Sequence, residues 1–390
     1  MLPRLNGILA NMPPQAFINP HILRWARERA GLDLFEAAQA AQIKPDQLHD
    51  WEGAKSRPTF RQAQTLAHAL HAPFGYFFLR EPPTEQLPLP DLRTISTAEI
   101  QRPSVNLIET VRTVLQRQAW YLEYQRDHSH AELSFVGRFQ VSSDPVHVAA
   151  DIRKVLGIEV EQGQRTWEVY YREIIDAAEN AGILVMRSGI VGNNTHRKLD
   201  VGEFRGFAIS DPIAPVVFIN SADAPAARLF TLMHELAHLW LGSSGISNGV
   251  PGNIRRDEVA CNAVAGEFLT PRSEFLTLWE TSDAELKLKL AELAKRFHVS
   301  TMVIMRRALD IGLVSQATYS DHYKSTLDAF NAKEGGGGNF YATAGVKNSH
   351  RFSNAVITET LSGRLLLRDA GRLLGVQPSK IREFAGHLRA

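Results

Sequence analysis

Apolar residues recur at helical spacing over most of this chain, and only a few short runs alternate or cluster as strands do. Residues 22–30 form a first amphipathic stretch that stops at Gly31, and Asp33 is placed to cap a second over 34–41. A short connector leads to a third helix over 45–52, with Pro45 suited to a first turn, and Thr59 caps a fourth over 60–70. Two short helices joined by a tight turn inside such a packing make the helix-turn-helix pattern. Further on, helices are expected over 105–126, 145–156, 166–180, 225–241, 255–270, 283–297 and 299–313, and again over 354–362, 364–374 and 379–388. Strands are expected over 182–186, 206–210 and 216–220, the last two joined by the turn-rich connector 211–215. The fold class that follows is mainly α with a small β-sheet: an α+β core, an all-α N-terminal domain and a helical C-terminal region.

With 390 residues the chain exceeds one ordinary core. The pattern divides it into a helix-turn-helix domain (18–80), a linker (81–103) carrying Pro82, Pro83, Pro88, Pro90 and Pro103, a helical region (104–175), a mixed domain (176–315) and a basic helical tail (316–390). The tail contains a glycine-rich break at 334–339. A net charge of +1 argues against a strong global electrostatic partner, and one cysteine excludes an intrachain disulfide framework. No apolar run has the length of a membrane span, and the N-terminus carries no secretory pattern; a cytoplasmic, membrane-free protein is expected.

The helix over 225–241 carries the candidate chemistry. His234 and His238 lie one turn apart on one face, so both imidazoles can reach one ion, and Glu235 points about 100° away, within reach of a water on that ion. This helix is apolar on nearly all sides, so the three polar groups would be buried and in need of partners. Asp223 is expected to cap its start and Gly242 to end it. Catalytic zinc takes three protein ligands. Glu258, on the next helix, is the chosen third, with Asp257 as close competitor and Cys261 as a chemically competent but more ordinary core residue. Asn262, one turn after Glu258, is expected to support that carboxylate from behind, whereas Glu267 falls on the opposite face.

The run from 204 to 271 resembles the ImmA/IrrE family of metallo-endopeptidases. The residues that carry the likeness are Arg205-Gly206-Phe207-Ala208, Pro215-Val216-Val217-Phe218-Ile219-Asn220, His234-Glu235-Leu236-Ala237-His238, Glu258 with Asn262, and Phe268-Leu269-Thr270-Pro271. The resemblance implies zinc held by His234, His238 and Glu258, with Glu235 as general base. It also implies cleavage of a specific repressor or regulator. An exposed strand beside the metal would hold an extended substrate by main-chain hydrogen bonds.

Residues 20–79 resemble the XRE (lambda-repressor-like) family through Leu23-Arg24, Ala26-Arg27, Ala37-Ala38, Trp51-Glu52-Gly53, Pro58-Thr59 and Leu66-Ala67. Residues 87–94 resemble the connector of proteins that fuse the two families. The resemblance implies operator DNA as a partner. Lys44, Gln47 and His49 are the candidate base readers, and Lys55, Arg57 and Arg61 the candidate phosphate contacts. Asp46, Asp50 and Glu52 oppose this, because carboxylates repel phosphates. The motif Val299-Ser300 to Leu309 is expected to pack on the core instead of reading DNA, and the arginine-rich tail is a candidate partner surface.

Two functions therefore compete. One is a zinc endopeptidase fused to a DNA-binding regulator; the other is a repressor or antitoxin that binds its operator and a toxin through a non-catalytic zincin domain. A second copy of the chain is a further candidate partner.

Overall fold

The computed structural model describes residues 14–85, 87–89, 103–158, 166–247, 255–331 and 347–389. Most of the expected proline-rich linker and the glycine-rich break at 334–339 lie outside the described residues. The chain divides into two compact units, residues 1–87 with 101–109 and residues 88–100 with 110–390.

The first unit is all-helical: α1 (Pro20–Arg29), α2 (Leu34–Ala40), α3 (Pro45–Glu52) and α4 (Phe60–Ala69), followed by a 3₁₀ turn (Phe74–Phe78). Local chemistry starts each helix. The Asn19 side chain accepts from the backbone of His21, and Asp33 and Thr59 form capping boxes with Glu36 and Gln62. Ile22, Leu23, Ala37, Ala38, Leu48, Trp51, Leu66 and Phe77 fill the core. Glu52 is buried in this unit and held by Arg27 through two hydrogen bonds of 2.7 and 3.0 Å.

The second unit holds most of α5 (Val105–Asp127), then α6 (Pro145–Leu156), α7 (Trp167–Asn180), β1 (Leu184–Ser188), β2 (Gly206–Ile209), β3 (Val216–Asn220) and α8 (Pro225–Trp240). It continues with β4 (Gly245–Ser247), α9 (Arg256–Leu269), α10 (Arg272–Thr281), α11 (Leu286–Phe297), α12 (Thr301–Asp310) and α13 (Gln316–Asn331). Three tail helices close it: α14 (His350–Leu361), α15 (Leu367–Leu374) and α16 (Ile381–Arg389).

Its sheet has the order β1-β3-β2-β4. β1 runs parallel to β3, while β2 is antiparallel to both β3 and β4. The two strands expected at 206–210 and 216–220 are therefore both interior. The edges are β1 and β4, and β4, three residues long, is one the sequence pattern did not disclose. Helix α8 lies against β2 and β3 on one side and against α9, α12 and α6 on others. Every residue from Leu229 to Trp240 is buried, as its all-round apolar character requires. One continuous apolar core runs from Phe135 and α6–α7 through α8 and α9 to α12 and Tyr319. Helix α12 is part of that core, with Met302–Ala308 buried, so the 299–309 motif packs inward as expected.

Asp223 does not cap α8. The cap residue is Ala224, and Asp223 instead accepts a hydrogen bond from the Tyr323 hydroxyl at 2.8 Å, with the Arg205 guanidinium 3.8 Å away. Buried beside these two groups, it holds α13 to the start of α8. Gly242 does end the helix, in the left-handed region at φ +68°.

Candidate metal centre

Helix α8 brings its two histidines, 3% and 0% exposed, to face the first turn of α9. There Glu258, 2% exposed, meets both: its two carboxylate oxygens lie 3.2 Å from His234 Nε2 and 3.2 Å from His238 Nε2. The two Nε2 atoms are themselves 3.2 Å apart. Among the described residues, this is the one group of three or more metal-competent side chains within reach of a common ion. Asp257 turns away to Arg255, and Cys261 sits in the apolar core, where burial pushes its thiol well up.

The donor set fits a tetrahedral ion. Ligand bonds of about 2.0–2.1 Å at tetrahedral angles place donors about 3.3–3.4 Å apart, close to the separations found. The outer nitrogens are satisfied from behind, His234 Nδ1 by the Asn262 side-chain oxygen at 2.9 Å and His238 Nδ1 by the Ser243 hydroxyl at 2.7 Å. An amide oxygen only accepts, so His234 donates from Nδ1 and turns its Nε2 lone pair inward. That lone pair and the Glu258 carboxylate, crowded at van der Waals distance, repel unless a cation lies between them. Asn262 thus supports a histidine, not the carboxylate as the sequence suggested. Glu267 does fall on the far side, where Arg307 of α12 holds it.

The electrostatics follow the same crowding. Burial works to raise the Glu258 carboxyl, but the two histidines outweigh it and hold the group well below the usual carboxylate range. Burial lowers His238, while for His234 the charge of Glu258 overcomes burial and raises it. Glu235 is different. It is fully buried, neither of its oxygens has a hydrogen-bond partner among the described residues, and burial pushes it up to about 8.

A narrow cleft opens beside these groups, lined by His234, Glu235, Ser247, Arg205, Arg306 and Tyr319 among others. Sequence reasoning missed the last four as site residues. They come from β4, the start of β2, α12 and α13, and only tertiary packing assembles them. Gly206 was quoted only as part of a motif. A Cβ at this position would lie 2.7 Å from a Glu235 oxygen and 2.9 Å from the Phe218 carbonyl. Only a glycine leaves room for the glutamate against the sheet.

The candidate DNA contacts all lie on the surface of the first unit. Lys44, Gln47 and His49 are exposed at α3, where the Gln47 side-chain oxygen accepts from the Lys44 backbone N–H at 3.3 Å. Lys55 lies 3.8 Å from Asp50, the Arg57 guanidinium 4.2 Å from the Phe17 ring, and Arg61 is exposed in the first turn of α4. Of the three acids that opposed DNA, Glu52 is turned into the core, which leaves Asp46 and the Lys55-paired Asp50 outside.

Comparison with known proteins agrees with this division. Residues 178–309 match the IrrE N-terminal-like domain family (Peptidase_M78), and residues 21–74 match a helix-turn-helix domain family. The chain thus joins an IrrE-like peptidase-family domain to an N-terminal helix-turn-helix domain, the pairing the motifs indicated. Residues 348–387 match a domain of unknown function, DUF8813. No curated protein matches the chain. No helix among the described residues is long and apolar enough to cross a membrane.

Proposed function

We propose that this chain is a zinc-dependent endopeptidase whose N-terminal unit binds DNA, and that its substrate is a specific regulatory protein. The observation that carries the reading is the contrast between two sets of buried groups: three donors that converge on one point, and a glutamate beside them with nothing to bind. Two imidazole nitrogens and a carboxylate oxygen, with a fourth direction open to a cleft, suit catalytic zinc. When bound, such an ion supplies Lewis acidity toward a carbonyl and lowers the pKa of water.

The chain's own residues do the rest. His234, His238 and Glu258 hold the ion, and Asn262 and Ser243 fix the two rings. Glu235 takes a proton from the attacking water and returns it to the leaving amine, a task suited to a carboxyl group that burial raises well above its ordinary pKa. Arg205 and Arg306 line the same cleft and favour the negative charge that develops on a peptide carbonyl. A toxin merely held in this cleft would leave Glu235 without a chemical task.

Metal analysis of wild type and Glu235→Gln, paired with cleavage of a proteome-derived peptide library and of host lysate proteins, tests this. Both proteins should carry zinc, and cleavage should fall by about 10²–10⁴-fold in the variant. A wild type that stays metal-free in zinc-replete medium, or a variant that cuts as fast as wild type, would overturn the proposal.

A further inference from the structure

The tail repeats the geometry of the N-terminal helix-turn-helix at a constant offset of 333 residues, read from the numbering of the two segments. Gln42 ends α2 in the left-handed region at φ +56°, and Gly375 ends α15 at +67°. The next residue closes the same turn in both: Ile43 N–H donates to Ala38 at 3.0 Å, and Val376 N–H to Gly371 at 3.1 Å. Gln47 N–H donates to Lys44, and Lys380 N–H to Gln377.

The packing positions correspond as well. Buried Ala37, Ala38 and Ala41 match buried Ala370, Gly371 and Leu374, and Leu48 and Trp51 match Ile381 and Phe384. Pro45, which opens α3, matches Pro378. The small residue at the second of these positions has a physical cause. A Cβ on Gly371 would lie 2.7 Å from the Val376 carbonyl, because the turn folds directly over that helix. In each segment a further helix, α1 or α14, precedes the pair.

We propose that α15 and α16 form a second helix-turn-helix that binds duplex DNA. The exposed side of the 3₁₀ turn Pro378–Lys380 and of the second helix that follows it carries Ser379, Lys380, Arg382 and Gly386, the counterparts of Asp46, Gln47, His49 and Gly53. Charge favours DNA here more than in the first unit. Residues 347–389 contain eight Lys or Arg against three Asp or Glu, whereas residues 20–79 hold seven against six. Two acids stay beside this face, each next to a base: Glu383 lies 2.9 Å from Lys380, and Asp369 3.3 Å from Arg368.

The turn between the two helices is anchored. Arg117, Asn348 and Asn193 donate to the carbonyls of Leu373, Leu374 and Gly375 at 2.6–2.9 Å. Helix α16 packs on α14 and α15, and its outer face remains exposed.

Binding of the full chain to a labelled random-sequence duplex of about three helical turns tests this, with titrations at several salt concentrations. Lys380→Ala/Arg382→Ala should weaken binding about tenfold and reduce the salt slope by about two. Amide exchange over residues 376–387 should slow when DNA is added. Lys44→Ala/Arg61→Ala serves as the parallel variant in the first unit. Loss in the tail variant supports the inference whether or not the N-terminal variant also loses affinity. A tail variant that binds like wild type, or a wild type that binds no duplex at low salt, overturns it.

Discussion

The two units of this protein treat a buried carboxylate in opposite ways. In the N-terminal unit, Glu52 is sealed in the core and answered at once by Arg27, with Arg24 3.6 Å away. In the peptidase-like unit, Glu235 is sealed as deeply but has no hydrogen-bond donor among the described residues, and Glu258 is pressed against two imidazoles that are themselves in contact. A buried charge balanced by its own neighbours holds a fold together. A buried carboxyl left without a partner, or crowded with other ligands, is directed at something the chain does not itself contain. The comparison therefore separates structure from chemistry without reference to any motif.

The sharpest attempt to break that contrast is Glu258→Ala. It should abolish stoichiometric zinc, read by metal analysis, and with it all cleavage. Chelation should lower the thermal stability of wild type, but not that of the variant, because binding to the folded state alone stabilises it. Equal metal in both proteins would mean that the crowded trio is only structural. Glu52→Ala comes next. It leaves Arg27 without its partner and should destabilise the first unit by about 3–5 kcal/mol, while zinc content stays unchanged. Hydrogen exchange over residues 20–79 reports the first effect and metal analysis the second. A zinc loss here would show that the two kinds of buried charge are not separable. Lys44→Ala should do least: no change in stability or metal, and a fall of about one in the salt slope of DNA binding. A stability change in that exposed variant would blur the line between surface function and core.

These outcomes also bear on what a sequence can disclose. The spacing of His234, Glu235 and His238 was legible because a helix fixes it locally, and the all-apolar surroundings announced their burial. Glu258 emerged because the next helix offered few alternatives. The partner of Asn262 was misread, since one turn of spacing along α9 says nothing about which group faces it across α8. Strand β4 is too short to carry a period, and exists because β2 offers it hydrogen bonds. Helices α10 and α13 went unremarked, and Arg205 reaches the same cleft as Arg306 and Tyr319 from about a hundred residues away in sequence, a meeting that only packing sets. Asp223 looked like a helix cap by position, but a more distant tyrosine competes for it.

Gly206 gives the site its clearance beside Glu235. The tolerance of this position is one of volume: a single methyl group would displace the glutamate or open the β2–β3 pairing. Nineteen of the twenty residue types are thereby closed to this position for as long as the glutamate keeps its place. The same confinement extends to the other walls of the cleft, where Arg306 and Tyr319 are buried as well.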